Sequence, residues 1–333
     1  MTKVSLVGFG RIGRDLFRQS LSNNNIDIVS ISDTADKKNL IYLLKYDSIY
    51  GKLDATIEES KHGIIVNGRQ VLFNNWEDST DADWKSIGTD VVILATGKPQ
   101  IIDEVKGHIS KGCQKVLIAS TPMNFGEVQI YIPGANEESV DFSADAFSLG
   151  SNTANAVAPL LKNLNEKVGV ERAFLTTVHG YSNSNRLADV AGEGFRLNRA
   201  AGENIIPNIT KSSDVIIQVL PLLKNKVASS SMTVPVPDGS TVDLTIDLKN
   251  ETSIDQINKL IEEMSNGSLK DIIGITYDPI VSSDVVRSTL SGLVDGLATM
   301  GINNKKIKLI IWFDNGWGYA ARIIDTIKKL YMR

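Results

Sequence analysis

The chain has 333 residues, of which 42% are hydrophobic and 22% charged, with a formal net charge of −4. This length points to two domains with cores large enough to need no covalent staples, and the acidic balance argues against nucleic acid or an anionic membrane as partner. The single cysteine, Cys113, excludes an intrachain disulfide and a cysteine-rich zinc site, and three scattered histidines (His62, His108, His179) supply no multi-histidine metal set.

Met1 to Val4 leads directly into a strand, with no basic-then-apolar signal segment, and no apolar run nears the ~18 residues of a membrane span. A cytoplasmic protein is expected. The apolar run Val4-Ser5-Leu6-Val7 ends at Gly8, as a buried parallel strand would. Ile12, Leu16, Phe17 and Leu21 then mark an amphipathic helix, closed by Ser22-Asn23-Asn24-Asn25. Ile26–Ile31 reads as the next strand. A helical segment near Asn39–Lys45 follows, then a hairpin-rich stretch from Lys61 to Phe73. Val91–Ala95 and Val116–Ala119 are further apolar strands, separated by helical sequence over Ile101–Lys111. Alternating strands and helices predict an α/β, Rossmann-type doubly wound parallel sheet.

After Gly150 the pattern changes. A helix over Thr153–Lys167 leads to a strand at Arg172–Val178 and a polar loop from His179 to Asn204. Val227–Leu248 alternates as in an antiparallel sheet with one covered face. A helix at Ile254–Met264, strands near Ile272–Thr276 and Lys306–Trp312, and a closing helix at Trp317–Leu330 complete the chain. The expected division is residues 1–149 plus 316–333 for a dinucleotide-binding domain and 150–315 for an α+β catalytic domain with a mainly antiparallel sheet.

Gly8-Phe9-Gly10-Arg11-Ile12-Gly13 is a G-x-G-x-x-G between a strand and a helix. Gly8 permits the tight turn, Gly10 lets the backbone approach a pyrophosphate, and Gly13 lets the helix pack close. The helix N-terminus presents free N–H groups and a positive dipole end to the phosphates. Asp33 stands 20 residues after Gly13, where an acid meets the adenosine ribose diol. A carboxylate there repels a 2′-phosphate, so NAD is expected over NADP.

These features and several others together resemble the glyceraldehyde-3-phosphate dehydrogenase family. The matching stretches are Gly8–Arg14, Tyr46-Asp47-Ser48 with Gly51, Ala95-Thr96-Gly97 and Thr176–Tyr181. Arg199-Ala200-Ala201, Asn204–Pro207, Val234–Pro237, Val242-Asp243-Leu244 and Trp312–Tyr319 continue the series. The resemblance implies that Arg11, Ile12, Thr96 and Ser120 surround the pyrophosphate and adenosine. It likewise implies that Asn315 fixes the nicotinamide carboxamide with Tyr319 beside it, and that His179 is the general base. It further implies a homotetramer, with the loop from Ser182 to Asn204 at a subunit contact.

The departures concern the chemistry. The family's central motif reads Ser-Cys-Thr-Thr-Asn-Cys; this chain reads Ser151-Asn152-Thr153-Ala154-Asn155-Ala156. In the family a thiolate attacks the aldehyde, hydride passes to the nicotinamide and phosphate resolves the thioester. An amide at Asn152 forms no thioester. Cys113 lies between a helix and a strand of the cofactor domain, the place of a buried structural thiol. The family's substrate-phosphate positions, a threonine, an aspartate and an arginine, are here Ser182, Ser184 and Thr233, beside Ser151 and Thr153 of the central motif. A second anion site, a Thr-Gly turn in the family, reads Thr210-Lys211, where Lys211 either supplies charge or is a solvated surface residue.

Two functions follow. One is an NAD-dependent oxidoreductase without a covalent intermediate, in which His179 relays a proton and Asn152 polarises a carbonyl of a small, possibly phosphorylated substrate. The other is a catalytically silent dinucleotide-binding protein or regulatory partner. An engineered Cys→Asn change in an ordinary family member fits poorly, because Ala154, Ala156, Ser184 and Thr233 differ as well.

Overall fold

The strand Thr2–Val7, four of whose residues are Val4, Ser5, Leu6 and Val7, lies inside a nine-stranded sheet. The computed structural model describes residues 1–76, 81–98, 100–192 and 194–331; Glu193 of the polar loop and Met332 and Arg333 of the closing segment lie outside them. The sheet runs Gln129–Ile130, Ala146–Ser148, Lys115–Ile118, Val91–Leu94, Thr2–Val7, Ile26–Ser32, Arg69–Asn74, Gly63–Val66, Ile57–Ser60. Every pairing from Gln129–Ile130 to Arg69–Asn74 is parallel. The last two pairings are antiparallel, in the hairpin-rich stretch.

Burial explains why the parallel strands carry no polar alternation. Val91, Val92 and Ile93 are fully inaccessible, as are Val116, Leu117 and Ile118. The helix Arg11–Ser20 buries Leu16 and Phe17. Phe9 meets Phe17 and Phe73 edge-to-face, with ring centroids 5.8 and 6.0 Å apart. Strand order reverses at Thr2–Val7, whose neighbours are Ile26–Ser32 on one side and Val91–Leu94 on the other. Ligands of doubly wound sheets bind beyond the carboxyl end of such a strand.

The chain divides into two compact units: Met1–Tyr131 with Glu138–Gly150 and Ala320–Arg333, and Ile132–Glu137 with Ser151–Tyr319. The assignment of Ile132–Glu137 to the second unit has no counterpart in the chain-order reading.

The second unit is built on an eight-stranded mixed sheet. Ser240–Leu248 alternates strictly between buried and partly exposed residues, the period-2 pattern its sequence carries. It pairs antiparallel with both Val170–Gly180 and Lys306–Phe313. The sheet is mainly antiparallel, with two parallel exceptions. Val170–Gly180 runs parallel to Val227–Val234, and Ile273–Thr276 parallel to Gly292–Asp295. The short helix Ser212–Val219, which carries no strong sequence signal, lies within the connection that this first parallel pairing requires. The helix Asn152–Lys167 packs on Val170–Gly180 and buries Val157, Leu160, Leu161 and Leu164. Among the described residues no helix is long and apolar enough to cross a membrane.

Candidate functional sites in the two units

The glycine turn is backbone geometry. Gly8 has φ +92°, and a Cβ there would stand 2.6 Å from the backbone of Ala95. A Cβ on Gly13 would meet the Gly8 carbonyl oxygen at 2.4 Å, whereas one on Gly10 would meet nothing within 4 Å. Gly8 and Gly13 are therefore fixed by packing, and Gly10 faces open space where a ligand can approach. Asp33 closes the turn: its Oδ2 accepts from Phe9 N at 2.7 Å and its Oδ1 from Ala35 N at 2.9 Å. Thr96 Oγ1 accepts from Gln100 Nε2 at 2.8 Å and from Lys98 N at 3.2 Å.

Gly8, Gly10, Asp33 and Thr96 line one cavity of about 640 Å³, together with Trp76 and Gln100. Arg11, Ile12, Gly13 and Ser120 are not in its lining. Ser120 nonetheless has a buried Oγ without a hydrogen-bond partner, while its carbonyl accepts from Ser148 Oγ at 2.7 Å. Trp76 escapes sequence reasoning, since a single aromatic after a strand is an ordinary core signal. The open face at Gly10 and the acid at Asp33, on one cavity, fit an adenosine–pyrophosphate moiety.

In the second unit, Ser151 starts the helix Asn152–Lys167 as its N-cap, its Oγ accepting from Ala154 N at 3.1 Å. Asn152 is the first helical residue. Its Nδ2 donates to the Asn315 carbonyl at 3.0 Å and its Oδ1 accepts from Thr153 N at 2.8 Å, leaving one amide hydrogen uncommitted. Asn315 Oδ1 is buried without a partner.

His179 sits near the end of Val170–Gly180, opposite Thr233 of the parallel neighbour. On the antiparallel side Val178 pairs with Thr241, so the next step brings Ser240 to His179. Ser240 Oγ lies 2.8 Å from His179 Nδ1, and Thr153 Oγ1 lies 3.4 Å from Nε2. The ring meets Phe313 edge-on at 5.8 Å. Burial pushes its pKa down to about 4, against the opposing pull of the Asp238 carboxylate, so the imidazole is neutral at physiological pH. Tyr319 is buried, and burial pushes its phenol upward.

The other predicted substrate residues form separate groups. Thr210 Oγ1, Ser212 Oγ and Ser151 Oγ make a hydroxyl chain with steps of 2.8 and 3.4 Å that ends at the start of the Asn152 helix. Thr233 is buried and accepts from Asn208 Nδ2 at 2.5 Å. Ser182 and Ser184 are exposed and bond each other at 3.0 Å. Lys211 precedes the helix Ser212–Val219 with an exposed side chain. Cys113 belongs to a core cluster of the first unit; its Sγ bonds the His108 carbonyl at 3.3 Å, and burial pushes the thiol up to about 12. It is a structural thiol. Among the described residues no group of three or more His, Cys, Asp or Glu is placed to hold a metal ion.

Ser240 and Asp238 are the residues that sequence reasoning missed here. Pro237-Asp238-Gly239-Ser240 reads as a turn between strands, and only the sheet register reveals that its serine faces His179.

Known proteins match this chain along nearly its whole length. Residues 2–100 match the family profile described as "Glyceraldehyde 3-phosphate dehydrogenase, NAD binding domain", and residues 151–315 the corresponding "C-terminal domain". Glyceraldehyde-3-phosphate dehydrogenase of Geobacillus stearothermophilus is 37% identical over 324 residues, covering 97% of this chain and 96% of the relative. The protein of that name from Borreliella burgdorferi is 39% identical over 334 residues, covering 98% and 99%. Glyceraldehyde-3-phosphate dehydrogenase 2 of Bacillus subtilis is 36% identical over 332 residues, covering 99% and 97%.

Proposed function

The chain belongs to the glyceraldehyde-3-phosphate dehydrogenase family as an NAD-dependent oxidoreductase, and we propose that it interconverts a carbonyl and an alcohol without a covalent intermediate and without phosphorylation. The observation that carries this reading is Asn152. We place it at the family's nucleophile position, where both heavy atoms of its amide bond the chain and no thiol is present. Cys113 does not substitute, being buried in the first unit.

NAD supplies the hydride acceptor or donor when bound. Gly8, Gly10, Arg11, Ile12, Gly13, Asp33, Thr96 and Ser120 are the proposed binding residues of the first unit. Asn315 Oδ1, a buried acceptor without a partner, suits the N–H of the nicotinamide carboxamide, with Tyr319 nearby in sequence. His179 handles the proton on the substrate oxygen. Ser240 Oγ accepts from Gly180 N at 3.3 Å, and the tautomer in which it also accepts from Nδ1–H leaves Nε2 as a proton acceptor. A neutral ring of that tautomer takes the proton of a substrate hydroxyl at Nε2 as hydride passes to NAD, and the imidazolium returns it to the carbonyl oxygen in the reverse direction. The uncommitted hydrogen of Asn152 Nδ2 is a second donor for that oxygen. Ser151, Thr153, Ser182, Ser184, Thr210, Thr233 and Lys211 are the proposed polar residues on the substrate side.

We also propose a cytoplasmic homotetramer. Leu187 and Phe195, 92% and 96% exposed in the loop after His179, support a protein contact there, and light scattering tests it.

The decisive experiment follows NADH absorbance with the purified protein and a panel of hydroxy acids, sugars and sugar phosphates. Turnover on at least one, independent of inorganic phosphate, is expected. Tight NADH binding with no turnover on any would instead favour the silent binding protein.

A further inference from the structure

Asp238 is a buried carboxylate, 3% exposed, in the turn between the strands Val227–Val234 and Ser240–Leu248. Its Oδ1 accepts from Asn315 N at 3.2 Å. The carbonyl of that same Asn315 accepts from Asn152 Nδ2, and Asn152 Oδ1 holds Thr153 N. Thr153 Oγ1 in turn faces His179 Nε2. Two residues after Asp238, Ser240 holds the other ring nitrogen.

The segment that carries Asp238 is tightly constrained. Gly239 has φ +81°, and a Cβ there would stand 1.9 Å from the Ser282 carbonyl oxygen. A Cβ on Gly180, the residue after His179, would stand 3.2 Å from Asp238 Cα. Tyr181 N donates to the Val236 carbonyl at 3.0 Å. Asp238 is thereby fixed against the strand end that carries the imidazole, while its side chain fixes the main chain that orients the amide.

We infer that Asp238 is a positioning residue joining the two halves of this cluster: it holds the Asn315 main chain that orients the Asn152 amide, and its charge stabilises His179 whenever the ring takes up a proton. The ring contacts Thr153 from the Asn152 helix and Ser240 and Phe313 from neighbouring strands, with Thr233 opposite in register, and these four are uncharged. Asp238 is the charged group acting on it. A carboxylate in this place suits chemistry in which the histidine, with no thiolate beside it, carries a transient proton.

The inference rests on the proposed oxidoreductase reading, but its test separates the two. His179 ring signals are followed by NMR on the full chain, assigned by their loss in His179→Gln. In the wild type the ring holds its neutral signature down to about pH 4. In Asp238→Asn, which keeps an oxygen acceptor for Asn315 N, the midpoint falls by about one unit. Asp238→Glu, which keeps the charge, leaves it nearer the wild-type value. Turnover by Asp238→Asn falls tenfold or more, while NADH affinity is unchanged. An unmoved His179 midpoint in Asp238→Asn overturns the role of Asp238 whatever the turnover. A shifted midpoint in a protein that turns over no substrate overturns the oxidoreductase reading and leaves the Asp238–His179 link standing.

Discussion

The glycine turn of the first unit and the amide–histidine cluster of the second are built from opposite materials. The turn is main chain: Gly8 and Gly13 are fixed because a Cβ would strike backbone atoms, and Asp33 bonds backbone N–H groups. The cluster is side chains drawn from distant positions. Its bonds join residues 26, 61, 77 and 163 apart in sequence. The difference bears on how function diverges. A site of backbone geometry changes only when the fold changes, whereas a site of side chains changes its chemistry by one replacement on an unaltered scaffold. The NAD-binding turn and an amide at the helix start therefore coexist without conflict.

The largest expected effect separates the two regions outright. His179→Gln should lower kcat by roughly 10²- to 10⁴-fold, the usual worth of general acid–base catalysis, while NADH affinity measured by fluorescence stays within twofold (about 0.4 kcal/mol). A parallel loss of NADH binding would break the comparison, because the two regions would no longer be separable.

The same ring sets an acid limit on stability. An unfolded histidine takes up its proton near pH 6.5, the buried ring only near pH 4. Between these values the unfolded chain binds more protons, so stability is fully present above about pH 6.5 and is lost as pH falls toward 4. At ~1.4 kcal/mol per unit, the total loss is about 3 kcal/mol. Urea unfolding of the wild type and His179→Gln at pH 7.5 and 4.5 isolates this contribution from that of the carboxylates. Equal losses in both proteins would show that the ring is solvated.

These contrasts also account for what was legible in the sequence. The turn declares itself because its residues are consecutive and its acid stands at a fixed spacing. The parallel strands show as unbroken apolar runs, and Ser240–Leu248 as strict alternation. Asn152 and His179 stand out only through the family resemblance. That Ser240 faces His179, and that Asp238 holds Asn315, are facts of register between strands, which no local pattern encodes. Trp76 was hidden for another reason: an aromatic that lines a cavity has the same sequence signature as one that fills a core.

A smaller effect probes the first region alone. Asp33→Asn keeps an oxygen for Phe9 N but removes the charge offered to a ribose diol. A charge-assisted hydrogen bond contributes about 1.5–3 kcal/mol, so the NADH dissociation constant should rise roughly ten- to hundredfold. At saturating NADH, kcat should remain that of the wild type. A fall in kcat under saturation would mean that Asp33 shapes more than the cofactor site.

The smallest effect is the sharpest test of the second region. Ser240 Oγ is the partner of His179 Nδ1 and also accepts from Gly180 N. Ser240→Ala leaves the fold's apolar contacts in place and removes a hydrogen bond worth about 1 kcal/mol, equivalent to roughly fivefold in kcat. What matters is where that loss appears. If Ser240 selects the tautomer with its proton on Nδ1, the variant's imidazole becomes a mixture, visible in ¹⁵N ring shifts, and kcat falls while KM holds. If the ring shifts stay unchanged and only thermal stability drops, Ser240 is a packing residue. The second region would then owe its alignment to Asp238 and the Asn315 main chain, and its side-chain circuit would be open at the histidine.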